Sequence, residues 1–168
     1  TEILASGFPY AAIMEPLFKR KADLNRVCEL YYNHYASESG VYQSATVALY
    51  KTSELQSLAN VCKEIFANTQ NDITNMETSN LQRYFRLDKR WFWDIDDFVY
   101  YLAEPSEYLR FKNALDNVVV AKWHTPYFLD ISINKFSGVS TYIPNVPNSY
   151  LKEFYLELDW NKDTELVK

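Results

Sequence analysis

The chain of 168 residues is long enough for one domain or for a large piece of a bigger one. A formal net charge of -5 and a pI near 5.1 argue against a nucleic-acid or anionic-membrane partner. No apolar stretch approaches the roughly 18 residues that a membrane-spanning helix needs, and no leader is visible in a chain that opens on Thr1, from which any leader or upstream domain would already have been removed.

Glycine is scarce: Gly7, Gly40 and Gly138 stand alone, where average usage of about 7% would give roughly a dozen. That excludes a phosphate-cradling loop and a dinucleotide fingerprint, because both need several glycines for close backbone approach. Aromatic residues make up 17% of the chain. Such side chains suit cores with wet edges, interfaces and sugar-binding surfaces alike, so an aromatic-rich interaction or glycan-binding module stands as an alternative to any enzymatic reading.

The chain begins "TEILASGFPY", a Gly-Phe-Pro-Tyr turn, followed by the connector "AAIMEPLFKRKAD", which Pro16 interrupts. "DLNRVCELYYNHYASESG" predicts a helix, with Leu24, Val27, Cys28, Tyr31 and Tyr35 on one face and Gly40 ending it. "SATVALYKTS" is short and β-branched, and predicts a strand buried on both faces. Ser53 and Gln56 form a capping box for a second helix, whose apolar stripe is Leu55, Leu58, Cys62, Ile65 and Phe66. The stretch 74–123 then reads as helical almost throughout. A second capping box falls at Ser79 and Gln82, a break at Pro105-Ser106, and a last apolar stripe at Phe111, Leu115 and Val118. "VVVAKW" opens a strand, and "KFSGVSTYIP" gives another, with Val139, Thr141 and Ile143 on one side, stopped by Pro144. A final helix follows Ser149, carrying Leu151, Phe154, Tyr155 and Leu158. Helix, strand and helix in this order predict an α/β layer structure. Residues 1–69 form its first part, 70–120 an accessory helical subdomain, and 121–168 the returning strands and C-terminal helix.

The chemistry-bearing residues are few. Cys28 and Cys62 lack a CxxC or a Cys/His cluster, which argues against zinc; both fall on apolar helix faces, which predicts buried free thiols, although two cysteines also permit one disulfide. His34 lies about 240° round the helix from Cys28, so a Cys-His pair would have to be built between elements, for instance His124 with Cys62. Asp94, Asp96 and Asp97 could offer oxygens to calcium, but the Gly and the later Glu of a calcium loop are missing, and carboxylates at a helix start explain them as well. "RWFW" followed by "VYYL" could form an aromatic platform, or simply core. Ser6 and Ser137 precede glycines without completing GxSxG. No catalytic residue is assigned within the chain, and no cofactor is called for.

Taken together, "TEILASGFPY", "TVALYKTSELQSLANVCKEIF" and "FSGVSTYIP" with "SYLKEFYLELDW" behind it resemble the C-terminal part of clostripain-family cysteine peptidases, in the form found in gut Bacteroidetes. The resemblance implies the C-terminal portion of a caspase-like sheet-and-helix core with an accessory helical bundle. It implies an endopeptidase that cleaves after Arg or Lys through a Cys thiolate, with a His as general acid/base. Both of those residues would lie upstream of Thr1, on an N-terminal segment or chain that is this chain's partner. None of Cys28, Cys62, His34 and His124 matches the catalytic motifs. What maps here is a wall of the substrate pocket: Glu2 as the carboxylate facing a basic side chain, with Ser6 and Gly7 beside it. The resemblance also implies a protein or peptide substrate and a secreted or cell-envelope location in a bacterium. It further predicts that the strands at 45–50 and 138–143 share one sheet, and that a sheet lacking its upstream strands is stable only with its partner.

Overall fold

Asp23 begins the first helix: its carboxylate accepts from the Arg26 N–H at 3.1 Å and caps α1, Leu24–Ala36. The computed structural model describes residues 23–84, 92–129, 131–144 and 149–168. α1 ends four residues before Gly40. The Ser37 N–H closes on Asn33 O, and the Ser37 hydroxyl donates to His34 O at 2.7 Å. Gly40, at φ +62°, instead opens a 3-10 turn over Gly40–Tyr42. Although α1 is amphipathic in sequence, none of its residues is fully buried, and Leu30 stays 51% exposed.

The expected strand is β1, Thr46–Tyr50, and it pairs antiparallel with β3, Val119–His124. Only Ala48 in β1 is fully buried, so the strand is not closed off on both faces as its composition suggested. α1 packs against both strands without enclosing them. Ser53 does not cap the next helix. A 3-10 turn at Thr52–Glu54 leads into α2, Leu55–Asn68, and Gln56 donates along the helix to Asn60 rather than back to the cap. The stripe itself is as expected, with Leu58, Cys62, Ile65 and Phe66 all at 1% exposure or less.

After the short α3, Gln70–Asn75, residues 76–84 run without helix, contrary to the continuous helical pattern. Here long-range hydrogen bonds override local propensity. Ser79 donates to the Glu77 carboxylate, and Gln82 is drawn into the interior by partners at 132–135. The chain then forms β2 (Trp93–Asp94), α4 (Ile95–Leu102) and α5 (Pro105–Val118). Pro105 occupies the first turn of α5, where a missing N–H costs nothing, and Glu104 and Glu107 form a reciprocal capping box. Phe111, Leu115 and Val118 face inward as predicted.

β4 (Tyr127–Phe128) and β5 (Ile131–Ser132) make a small hairpin-like pair, and β6 (Ser140–Thr141) pairs antiparallel with β2. β6 therefore does not share a ladder with β1, and residues 140–143 are buried on both sides rather than alternately. The two segments nevertheless touch. Tyr50 donates its hydroxyl to Gly138 O, and Gly138 sits where a Cβ would lie 3.0 Å from that of Ala48. α6 (Ser149–Glu157) and α7 (Asp159–Thr164) close the chain, with Tyr155 buried and Phe154 44% exposed.

The main core lies between α2, α4, α5, β2 and the segment 140–143, with Phe66 and Phe98 in ring contact at 5.8 Å. α2 packs on α5 along one side and on α7 along another. Leu166 and Val167 fold back into this core. The Asn161 side chain holds them by accepting from Val167 N at 2.8 Å and donating to Val167 O at 3.0 Å. Burial of this kind contributes about 25 cal/mol per Å² of apolar surface removed from water.

Candidate functional site

Glu2, Ser6 and Gly7, the residues expected to line a substrate pocket, lie outside the described residues. Within them, the densest polar arrangement is built on the acidic start of α4. Asp94 and Asp97 are 1% and 4% exposed, which is unusual for carboxylates unless each is fully partnered.

Both are partnered. Asp94 is the N-cap of α4: one oxygen accepts from the backbone N–H groups of Asp96 and Asp97 at 3.0 and 3.1 Å. Its other oxygen accepts from Ser137 N at 2.6 Å and from the Tyr84 hydroxyl. Asp97 accepts from Gln82 N at 2.8 Å and pairs with the ammonium of Lys135. Asp96 faces outward to the Tyr108 hydroxyl and Lys112 at 3.0 and 3.1 Å. The acidity of "DIDDF" thus does cap a helix, as the sequence allowed. It also holds two distant segments together, and among the described residues no cluster of acidic, His or Cys side chains is disposed to hold a metal ion.

The electrostatics follow from this geometry. The hydrogen bond to Asp97 raises the Lys135 ammonium above its ordinary range, more than partial burial lowers it. Burial, reinforced by Asp94, pushes the Tyr84 hydroxyl far up, so it remains a donor at any physiological pH. Tyr108 is pushed up to about 12, chiefly by desolvation and then by Asp96.

The nucleophile candidates have no such activation. Both cysteines are free. Cys62 is fully buried in the α2 stripe and its thiol is raised by desolvation; Cys28, half-buried, is raised for the same reason. A thiol held protonated is a poor nucleophile. His34 sits in the last turn of α1 with its ring edge-on to Tyr35. His124 contacts the Phe136 ring and has Nδ1 3.0 Å from Thr125 O, whereas Cys62 belongs to the main apolar core. The Ser137 hydroxyl is tied into its own turn with Val139. The aromatic platform divides: Trp93 is fully buried core, while Tyr100 and Tyr101 are more than half exposed.

Sequence reasoning missed Gln82, Tyr84 and Lys135 as partners of the acidic turn. A buried Gln bonded to three backbone groups at positions 132–135 leaves no local signature.

This arrangement of helices around short antiparallel pairings is that of C11 cysteine proteases. An inactive zymogen C11 protease from Parabacteroides distasonis superposes with a TM-score of 0.76 at 33% identity, covering 94% of this chain and 48% of that one. A clostripain from Bacteroides thetaiotaomicron, in complex with the peptide inhibitor BTN-VLTK-AOMK, matches with a TM-score of 0.76 at 28% identity, covering 91% of this chain and 69% of that one. A secreted C11 cysteine protease from the same organism matches with a TM-score of 0.76 at 29% identity, covering 90% of this chain and 43% of that one. The chain thus spans about half the length of the first of these structures. No protein-family model and no curated protein sequence matches it. The expected resemblance to clostripain-type cysteine peptidases holds across the fold, which is α/β and related to that of peptidases. Among the described residues no helix is long and apolar enough to cross a membrane.

Proposed function

We propose that this chain is the C-terminal part of a clostripain-like cysteine endopeptidase that cleaves after Arg or Lys. The observation that carries the reading is coverage: 94% of the chain superposes on only 48% of a C11 protease. Half of a peptidase of that kind therefore has no counterpart here. The two described cysteines are held as thiols, and neither described histidine is set up as their base. In this reading the catalytic His and Cys belong to an upstream half, which is this chain's partner. The secreted relative supports a secreted or envelope location.

In this reading Glu2 lines the pocket for the basic side chain, with Ser6 and Gly7 at its rim. A carboxylate facing a guanidinium or ammonium in a partly desolvated pocket contributes about 1.5–3 kcal/mol. The lysine of VLTK in the inhibitor bound by the Bacteroides clostripain supports a basic preference. In this reading residues 70–120 correspond to the accessory helical part of the peptidase, with its α4 and α5 packed into the same core as α2. The test is hydrolysis by the full-length protein of peptides differing only at P1. Arg and Lys peptides should be cut and their Ala counterpart spared, and Glu2→Gln should lower kcat/KM for basic substrates about 10-fold or more. Equal cleavage of all three peptides would remove the basic pocket from the account.

A further inference from the structure

The segment between β5 and β6, residues 133–139, has neither helix nor strand and carries Lys135 with its side chain 52% exposed. An exposed basic residue outside helix and strand is where a trypsin-like enzyme would nick a chain, although Ile133, Phe136 and Ser137 around it are buried. The side chain and several backbone groups that such an enzyme must seize are nevertheless already engaged. The Lys135 ammonium is bound to Asp97 and lies 5.7 Å from the centre of the Tyr101 ring. Asn134 N and Lys135 N both donate to Gln82 Oε1, at 2.9 and 3.2 Å. Lys135 O lies 2.9 Å from the Tyr84 hydroxyl oxygen, which it shares with Asp94. The residue after it, Phe136, is 8% exposed and packed edge-on against Tyr84 at 5.9 Å. Ser137 N is taken by Asp94.

We propose that Asp97, Gln82 and Tyr84 form a latch that shields the Lys135–Phe136 bond from basic-residue endopeptidases. Cleavage needs an extended backbone whose N–H and C=O groups can pair with the enzyme, and a side chain free to enter a charged pocket. The latch denies both at one peptide bond. Its biological sense rests on the reading above: a peptidase selective for Arg and Lys must protect its own exposed lysines, and this one is protected by the buried acids of α4. The protection itself is a property of the fold and does not depend on that reading.

Limited digestion of the full-length protein with trypsin tests it, with fragments assigned by mass and N-terminal sequence. The wild type should resist cleavage at Lys135–Phe136 after other sites are cut. Asp97→Asn, which keeps an acceptor for Gln82 N but removes the charge facing Lys135, should expose a fragment beginning at Phe136 at least 10-fold faster. Tyr84→Phe keeps the ring against Phe136 and releases the Lys135 carbonyl; it should speed the same cut several-fold, and it decides the matter should Asp97→Asn fail to fold. Early cutting of the wild type at this bond would overturn the latch, as would folded variants that leave its rate unchanged. Trypsin reads the latch even in a protein with no peptidase activity, so the failure of one idea is separable from that of the other.

Discussion

Gly138 offers the sharpest energetic test of how the two halves of the described structure meet. Its φ is +93°, and a Cβ there would stand 3.0 Å from Ala48 Cβ and 3.1 Å from Val119 Cγ1. Both neighbours belong to the β1–β3 ladder, so neither can swing aside as a flexible side-chain end could. Gly138→Ala therefore combines positive-φ strain of about 1–3 kcal/mol with overpacking of about 1–3 kcal/mol. It also strains the carbonyl that receives the Tyr50 hydroxyl. Gly40 is the internal control: at φ +62° it has nothing within 4 Å of a built Cβ. Gly40→Ala should carry only the left-handed strain of about 1–2 kcal/mol. The difference of about 2 kcal/mol corresponds to about 4–8 °C in Tm for a domain of this size. Thermal melting of both variants beside the wild type, with urea midpoints as a check, measures it. Equal losses in the two variants would refute the close approach of residue 138 to the ladder.

Two further outcomes follow from the acidic turn. Asp94→Ala removes a helix N-cap worth about 0.5–2 kcal/mol and strands the buried Ser137 N–H at about 1–3 kcal/mol; a urea midpoint shift equivalent to about 2–4 kcal/mol is expected, and a loss below 0.5 kcal/mol, within reach of about any surface change, would contradict the burial of that carboxylate. Stability should also fall at alkaline pH. Tyr108, raised by desolvation and Asp96 to about 12, and Lys135, raised by its hydrogen bond to Asp97, both favour the protonated form in the folded state. The Tyr108 contribution is complete below about pH 10 and is lost as pH rises through about 12, while the Lys135 contribution is lost as pH rises above the ordinary lysine range. Denaturant midpoints at stepped pH, with Tyr ionisation followed by absorbance, would show it, and a midpoint unchanged from neutral pH to about 12 would contradict the two pairings.

What the sequence makes legible is whatever depends on periodicity. The stripes Leu58–Phe66 and Phe111–Val118 are buried as their 3-4 spacing requires, because helix burial repeats with the helix itself. Ser53/Gln56 and Ser79/Gln82 have the spacing of capping boxes but form none. Gln56 finds a helical neighbour, and Gln82 finds three backbone groups in a distant segment besides the carbonyl of Arg83. The burial of Leu166 and Val167 was equally hidden, since it depends on Asn161 clasping a non-periodic tail. At the site, the acidity of Asp94–Asp97 was visible as a helix start, yet its second task was not. Asp97 meets Lys135 across 38 residues, and pairing at that range is a property of the fold alone. The resemblance to clostripains was legible because it rested on the order of several weak motifs, which the superposition over 94% of the chain now supports.

The central claim, that this chain belongs to a basic-specific cysteine endopeptidase whose nucleophile lies elsewhere, can be tested in one labelling experiment. The full-length protein should be treated with a biotinylated lysyl acyloxymethyl ketone peptide, of the type bound by the Bacteroides clostripain, and the modified residue located by mass spectrometry. The account predicts a single labelled cysteine outside these 168 residues, with Cys28 and Cys62 untouched while the protein is folded. Labelling of Cys28 or Cys62, or no labelling at all, would contradict it.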